Sequence, residues 1–394
     1  MAKNRRLGLD IGSYKVVAVI GHYNDANKWE IEACERSKSS GVLRGEIIDV
    51  DAAVRSLKEV LSKLKEKGFN IPKSANVCIG GQFTKNAKCF GYVQKTENTV
   101  FSQKVLQEII PTVSQPLKVP EETDYLELLM YIRRDRESFE KFPVGKEGKK
   151  FTAFYNKVYG QASSLNKLQN VLQQCDIELG QVLLKPEAIA HSVLENEERR
   201  DGVALLDIGA GTTSVIVYEG DMLRYSAILP FGGNTITSDI SKKFAISMRD
   251  AESIKSKYGS CFAKYVEDES ELIQVGDKLL NLNMKELARV IQFRAQELID
   301  SILYQVQKSE CKDKLLSGFV LTGGGAQLEH FDKLLKAMDG KKVRLAGVNS
   351  NLVVGNEIHN PSYTTALASL IRVKESLNRG KKSSMKNFVT KLFS

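Results

Sequence analysis

Apolar positions along this 394-residue chain follow two spacings. Unbroken runs at Leu7–Leu9 and Val16–Ile20 predict a pair of buried strands, and segments 29–37 and 75–81 predict two more. After a glycine-punctuated link, Gly41 to Gly45, residues Val54, Leu57, Val60, Leu61 and Leu64 recur at helical spacing. That helix is expected to open on Asp51 as N-cap and to close at Gly68. The chain therefore begins strand, strand, strand, helix, strand. At Val203 the opening pattern returns as VALLDIGAGTTSVIVYEG: an apolar run, an Asp-Ile-Gly turn and a β-branched run. A charged helix over 248–259, a long helix over 287–308, a strand, triple-glycine turn and helix over 318–335, and a helix begun by Pro361 follow.

Residues 84 to 159 differ in character. Pro111, Pro116 and Pro120 crowd together, and a dense charge run covers 133–150. This stretch predicts a separate insertion with a helix near Ser102–Ile110 and a strand near Phe151–Tyr159. A helix at Ser163–Cys175 and the segment 181–194 then return to the first lobe.

Composition narrows the class. Hydrophobic content of 42% and charged content of 27% fit a soluble globular protein of several lobes. No apolar run approaches the roughly 18 residues of a membrane span. The basic start, MAKNRRLGLDIGS, is interrupted by Asp10 and Gly12, so export is not expected. The 6 cysteines form no CxxC pair and the 4 histidines stand apart, which excludes a disulfide framework or zinc site at this spacing and fits a reducing, cytoplasmic setting. The net charge of +9 is concentrated: from Arg372 to Ser394, seven basic residues face Glu375 alone. A nucleic-acid binder would carry its basic surface on a folded domain, so no nucleic-acid partner is expected. A local basic tail points to an anionic membrane surface.

Asp10 ends a buried strand, where an unpaired carboxylate is costly. An Asp-x-Gly between two strands makes a tight hairpin whose glycine lets backbone amides approach a ligand. Two such hairpins, one per lobe, would grip a polyphosphate from opposite sides. Asp10 and Asp207 would then face a hydrated Mg²⁺ on a nucleotide. Lys15 follows the first turn and would reach a phosphate, while Gly209, Ala210, Gly211, Thr212 and Thr213 offer amides and hydroxyls from the second. Gly323, Gly324 and Gly325 place bare backbone between a strand and a helix, suited to an adenine or a phosphate. Neither a Walker loop nor a dinucleotide fingerprint is present. Each Asp-Ile-Gly alone also fits ordinary turn chemistry; the repetition favours a ligand.

Segments 8–21, 185–194, 205–220, 320–331 and 361–371 stand in the order of the phosphate-1, connect-1, phosphate-2, adenosine and connect-2 motifs of actin-like ATPases. Within that superfamily the chain resembles the FtsA family of bacterial cell-division proteins, through PFGGNTITSDISKKF, DAESIKSKYG and the insertion after Gly81. The resemblance implies an α/β, actin-like (ribonuclease H-like) duplicated two-lobe fold with an inserted 1C subdomain. It assigns 1–83, 160–199 and 360–378 to subdomain 1A, 84–159 to 1C, 200–236 and 286–359 to 2A, and 237–285 to 2B, with 379–394 a linker and amphipathic membrane-targeting helix. It implies ATP and Mg²⁺ held by Asp10, Gly12, Ser13, Tyr14 and Lys15 from one side and by the second hairpin from the other. Gly233 and Asn234 would lie near the sugar, Glu252 and Lys255 at ribose and base, and the triple glycine with Gln327 at the adenosine.

One departure stands out: Lys185 precedes Pro186, where such filaments often place an acceptor for the attacking water. A protonated lysine accepts nothing, which leaves Glu187 as the catalytic candidate and implies slow or negligible hydrolysis. In the tail Met385, Phe388, Val389, Leu392 and Phe393 form one helical stripe, with Lys386 and Lys391 outside it. Such a helix can lie in the headgroup plane or pack as a last helix on its own domain, and the polar spacer, the Phe and Leu content and the lysine excess favour the membrane. The family implies a protein that polymerises with itself on the cytoplasmic face of the cell membrane at the division site. It also implies binding of the FtsZ C-terminal peptide through 2B and recruitment of later division proteins. A small-molecule kinase or a pilus-assembly ATPase of the same superfamily is the alternative.

Overall fold

The structure, a computed structural model, describes residues 5–26, 28–136, 138–275, 278–349, 353–354 and 360–371. The first lobe starts with β1 (Arg6–Ile11), β2 (Lys15–Tyr23), β3 (Trp29–Lys38), α1 (Val50–Glu66) and β4 (Ser74–Ile79). The N-cap of α1 is Asp49 rather than the expected Asp51. Its extended backbone lets Oδ1 accept the Ala52 N–H at 3.0 Å, and Asp51 instead sits in the first turn, facing the positive helix end.

The insertion holds β5 (Thr84–Val100), α2 (Gln103–Ile109), β6 (Glu122–Arg134) and β7 (Glu147–Gln161). These strands form an antiparallel sheet of their own, ordered β5-β7-β6 and edged by the short strand Ser138–Glu140. Lys157 is fully buried on it, ion-paired with Glu127 at 2.7 Å and donating to Gln115 Oε1 at 2.8 Å. α3 (Ala162–Gln173), β8 (Glu178–Leu184) and α4 (Lys185–Val193) lead back to the first lobe.

The second lobe comprises β9 (Val203–Ile208), β10 (Thr213–Glu219), β11 (Met222–Leu229), α5 (Gly233–Phe244) and α6 (Met248–Tyr258). A hairpin of β12 (Ser270–Val275) and β13 (Lys278–Asn283) follows, then α7 (Met284–Lys308), β14 (Gly318–Thr322), α8 (Phe331–Asp339) and β15 (Val343–Leu345). α9 (Thr364–Ile371) ends the described chain.

The two main sheets repeat one plan. The first runs β8-β4-β1-β2-β3 and the second β15-β14-β9-β10-β11. In each, a hairpin strand (β1 or β9) pairs antiparallel with its successor and parallel with a later strand. Both faces of each sheet are covered, which explains why β1, β2, β9 and β10 read as unbroken apolar runs. In the first lobe α1 and α3 cover one face and α9 the other; in the second, α5, α6 and α7 cover one face. The helix α4 presses Ala188, Ile189 and Val193 on the opposite face of the second sheet and meets Ala368 of α9. α4 and α9 thus form a shared middle layer, and the loops at the ends of β1, β4, β9 and β14 converge beside it.

Candidate functional site

The two hairpins are copies in register. Asp10 pairs with Val17 and Ile11 with Val16; Asp207 pairs with Ser214 and Ile208 with Thr213. Each closes with the same bond, the Gly12 N–H donating to Lys15 O at 3.1 Å and the Gly209 N–H to Thr212 O at 2.9 Å. Their tips touch: a Cβ added at Gly211 would stand 2.6 Å from Ser13 Oγ, so only glycine permits this approach. Ser13 Oγ accepts the Gly45 N–H at 3.0 Å, which pins the first tip. A cleft of about 420 Å³ opens beside this contact, a volume within the about 300–1,000 Å³ of small-molecule sites.

The second hairpin is braced from behind. The Gly233 and Asn234 N–H groups at the start of α5 donate to Gly209 O at 2.9 Å and Ala210 O at 2.8 Å. Gly323, with φ +88, packs where a Cβ would meet Asp207 Oδ1 at 2.5 Å, and a Cβ on Gly325 would strike Ile208. Gly324 is different. A Cβ there would meet nothing nearer than Ser362 Oγ at 3.6 Å, so the packing of the chain does not require glycine at this position. On the far wall Lys255, buried, donates to Glu252 Oε2 at 2.5 Å, Thr237 Oγ1 at 2.8 Å and Gly233 O at 3.2 Å. Gln327 Nε2 donates to Ser362 Oγ at 2.6 Å, joining the glycine turn to the segment before α9.

Electrostatics at the floor centre on a residue whose role sequence reasoning missed. The ammonium of Lys185, first residue of α4, lies 2.8 Å from Asp207 Oδ2, with side-chain exposures of 14% and 4%. Burial works against this ammonium, but Asp207 and Asp10 outweigh it and hold its pKa above the ordinary lysine value. Burial pushes the Asp10 carboxyl up, and the charges of Lys185 and Lys15 pull it partly back. Burial lowers the pKa of Lys15, whose ammonium stands 5.0 Å from the centre of the Tyr363 ring. Arg36 also lines the cleft and approaches the same ring.

Of the predicted residues, Asp10, Gly12, Ser13, Tyr14, Lys15, Asp207, Gly209, Ala210, Gly211 and Thr212 line one cleft with Gly233, Glu252, Lys255, Gly323, Gly324, Gly325 and Gln327. Three others do not line it. Thr213 is buried and donates its hydroxyl to Phe231 O at 2.9 Å, and Asn234 serves through its backbone. Glu187 is buried near His191, at 3.3 Å, because two helical steps from Lys185 turn it to the opposite side of α4. The tail residues Met385, Lys386, Phe388, Val389, Lys391, Leu392 and Phe393 lie outside the described residues. The proximity of Lys185 to Asp207 had one sequence signal, the basic residue at the head of connect-1; Arg36 had none.

Twin sheets and twin hairpins around one cleft define an actin-like fold. Solved structures agree at the level of the fold. The chain matches the PilM–PilN type IV pilus biogenesis complex with TM-score 0.64 at 16% identity, covering 93% of this chain and 98% of that one. It matches MreB5 of Spiroplasma citri bound to ADP with TM-score 0.56 at 16% identity, covering 95% and 97%. A family model described as "Cell division protein FtsA" matches residues 204–368. The chain is 27% identical to the cell division protein FtsA of Neisseria meningitidis serogroup B over 92% of its own length and 88% of that protein's. With the Escherichia coli K12 protein of the same name it is 28% identical, over 95% and 92%. The chain thus shares the actin-like fold and is similar in sequence to the cell-division proteins named FtsA.

Asp207→Ala would strand the buried Lys185 ammonium, and removing one partner of such a pair costs about 3 kcal/mol. Urea unfolding of the variant is expected to show that loss; an unchanged midpoint would mean the pair does not hold the floor.

Proposed function

We propose that this chain is an ATP-binding, actin-like cell-division protein that polymerises on the cytoplasmic face of the membrane, tethers the FtsZ ring to it and recruits later division proteins. The observation that carries the nucleotide part is the pair of identical hairpins whose tips meet at the cleft mouth. The relatives' name supports the division role, and a solved neighbour in the same fold is described as bound to ADP.

In this proposal the tips Ser13–Tyr14 and Ala210–Gly211 present backbone amides and hydroxyls to phosphates, and Lys15 adds a point charge. Glu252 and Lys255 hold the sugar side, and Gly324 gives the adenine a flat backbone. Bound ATP would supply the ligand that draws the lobes together, so nucleotide state would set the interlobe geometry. Mg²⁺ was expected on Asp10 and Asp207 through water; Asp10 fits that role, but Asp207 already carries an ammonium. Glu187, turned away from the cleft, offers no base there, which supports slow or negligible hydrolysis and speaks against a kinase. The membrane part rests on the sequence of the tail, with its stripe from Met385 to Phe393 and its flanking lysines. The FtsZ C-terminal peptide is assigned to the region 237–285 by the family resemblance.

Gly324→Val separates ligand binding from folding. Its stability should stay within about 0.5 kcal/mol of the parent, as for a substitution that packs against nothing. Its ATP affinity by calorimetry should fall by an order of magnitude or more; unaltered affinity would remove the adenine from this turn. Co-sedimentation with anionic vesicles and ATP tests the tether. The full chain should pellet with lipid and a chain ending at Lys382 should not; equal pelleting without lipid dependence would refute the membrane role.

A further inference from the structure

Lys185 occupies a position that favours no cation except by design of its surroundings. It opens α4, and the N-terminal end of a helix carries partial positive charge that opposes an ammonium. Its stem passes against backbone of the first lobe: a Cβ at Gly80 would come within 2.8 Å of Lys185 Cβ. Its ammonium reaches the second lobe, 2.8 Å from Asp207 Oδ2 and 3.9 Å from where a Cβ on Gly209 would stand. It is therefore a fixed cation placed between the two hairpins, beside the carboxylate expected to orient a hydrated metal. Five basic and four acidic side chains line the cleft, so it already carries net positive charge. Among the described residues, no group of three or more His, Cys, Asp or Glu side chains is arranged to hold a metal ion.

Mg²⁺ dehydrates reluctantly and is held by one or two carboxylates together with phosphates. A lysine ammonium serves as a point charge for phosphate and brings its own hydrogen-bond donors. We propose that Lys185 is a built-in counterion that takes Asp207 out of the metal-binding set and receives the phosphates directly, so that nucleoside triphosphate binding does not depend on a divalent cation. This rests on the nucleotide reading of the same cleft.

The test is calorimetric titration of the full chain with ATP in excess EDTA and in excess MgCl₂. Coupling between two ligands commonly spans about 5–150-fold in affinity, and the wild-type ratio is expected below the about 5-fold end of that range. Lys185→Arg, which keeps the charge, should behave alike. Lys185→Gln should bind weakly in EDTA and regain affinity with Mg²⁺ by a factor inside that range. If Lys185→Gln fails to fold, the wild-type comparison decides alone. A wild-type loss of more than about 5-fold in EDTA would overturn the role of Lys185 while leaving the nucleotide site standing. No ATP binding in either solution would overturn the nucleotide reading, and the counterion with it.

Discussion

The contact between Ser13 and Gly211 sets the terms for the rest of the molecule. Two hairpins from different lobes can meet tip to tip only if one of them has no side chain at the meeting point. That requirement propagates backward. The second hairpin must be braced, which the first turn of α5 does with its N–H groups, and its strand end must accept the glycine turn after β14 at close range. The first must be pinned, which Gly45 does through Ser13 Oγ. A cleft walled by backbone follows from these approaches, and side chains enter it where the sheets end in Asp10 and Asp207.

Burying two carboxylates where two lobes meet creates a charge problem that the fold answers from its middle layer. α4 is apolar on the face that packs against the second sheet, yet its first residue delivers an ammonium into the cleft floor. Because α4 and α9 touch both sheets, a ligand that draws charge from Lys185 acts on the layer that links the lobes. This is a physical route by which occupancy of the cleft would reach surfaces far from it, and it needs no moving part beyond two rigid sheets and the helices between them.

Much of this was legible in the sequence because the signals were local. An apolar run ending in Asp-Ile-Gly, met twice, marked both hairpins and their shared direction, and the spacing from Val54 to Leu64 marked α1. The sequence does not separate Asp49 from Asp51 as N-cap, since the two are chemically alike and only backbone conformation decides between them. The insertion was harder. β6 lacks the alternation that marks a strand, because its pairing with β7 shifts register at Phe154/Tyr155 and Val158/Tyr159. Lys157 was invisible as a core residue, since its burial depends on Glu127 and Gln115. Lys185 stands out in the sequence as a departure, but its partner stands on another lobe, and no local pattern names it. Glu187 lies two residues further on, and the turn of α4 faces it toward His191 and away from the cleft.

The proposed function requires both hairpins to close together on one ligand. Hydrogen exchange of the full chain, with and without ATP, measures this directly. The amides around Gly12–Lys15 and around Gly209–Thr212 should slow together on addition of ATP. Protection confined to one hairpin, or absent from both at saturating ATP, would contradict it.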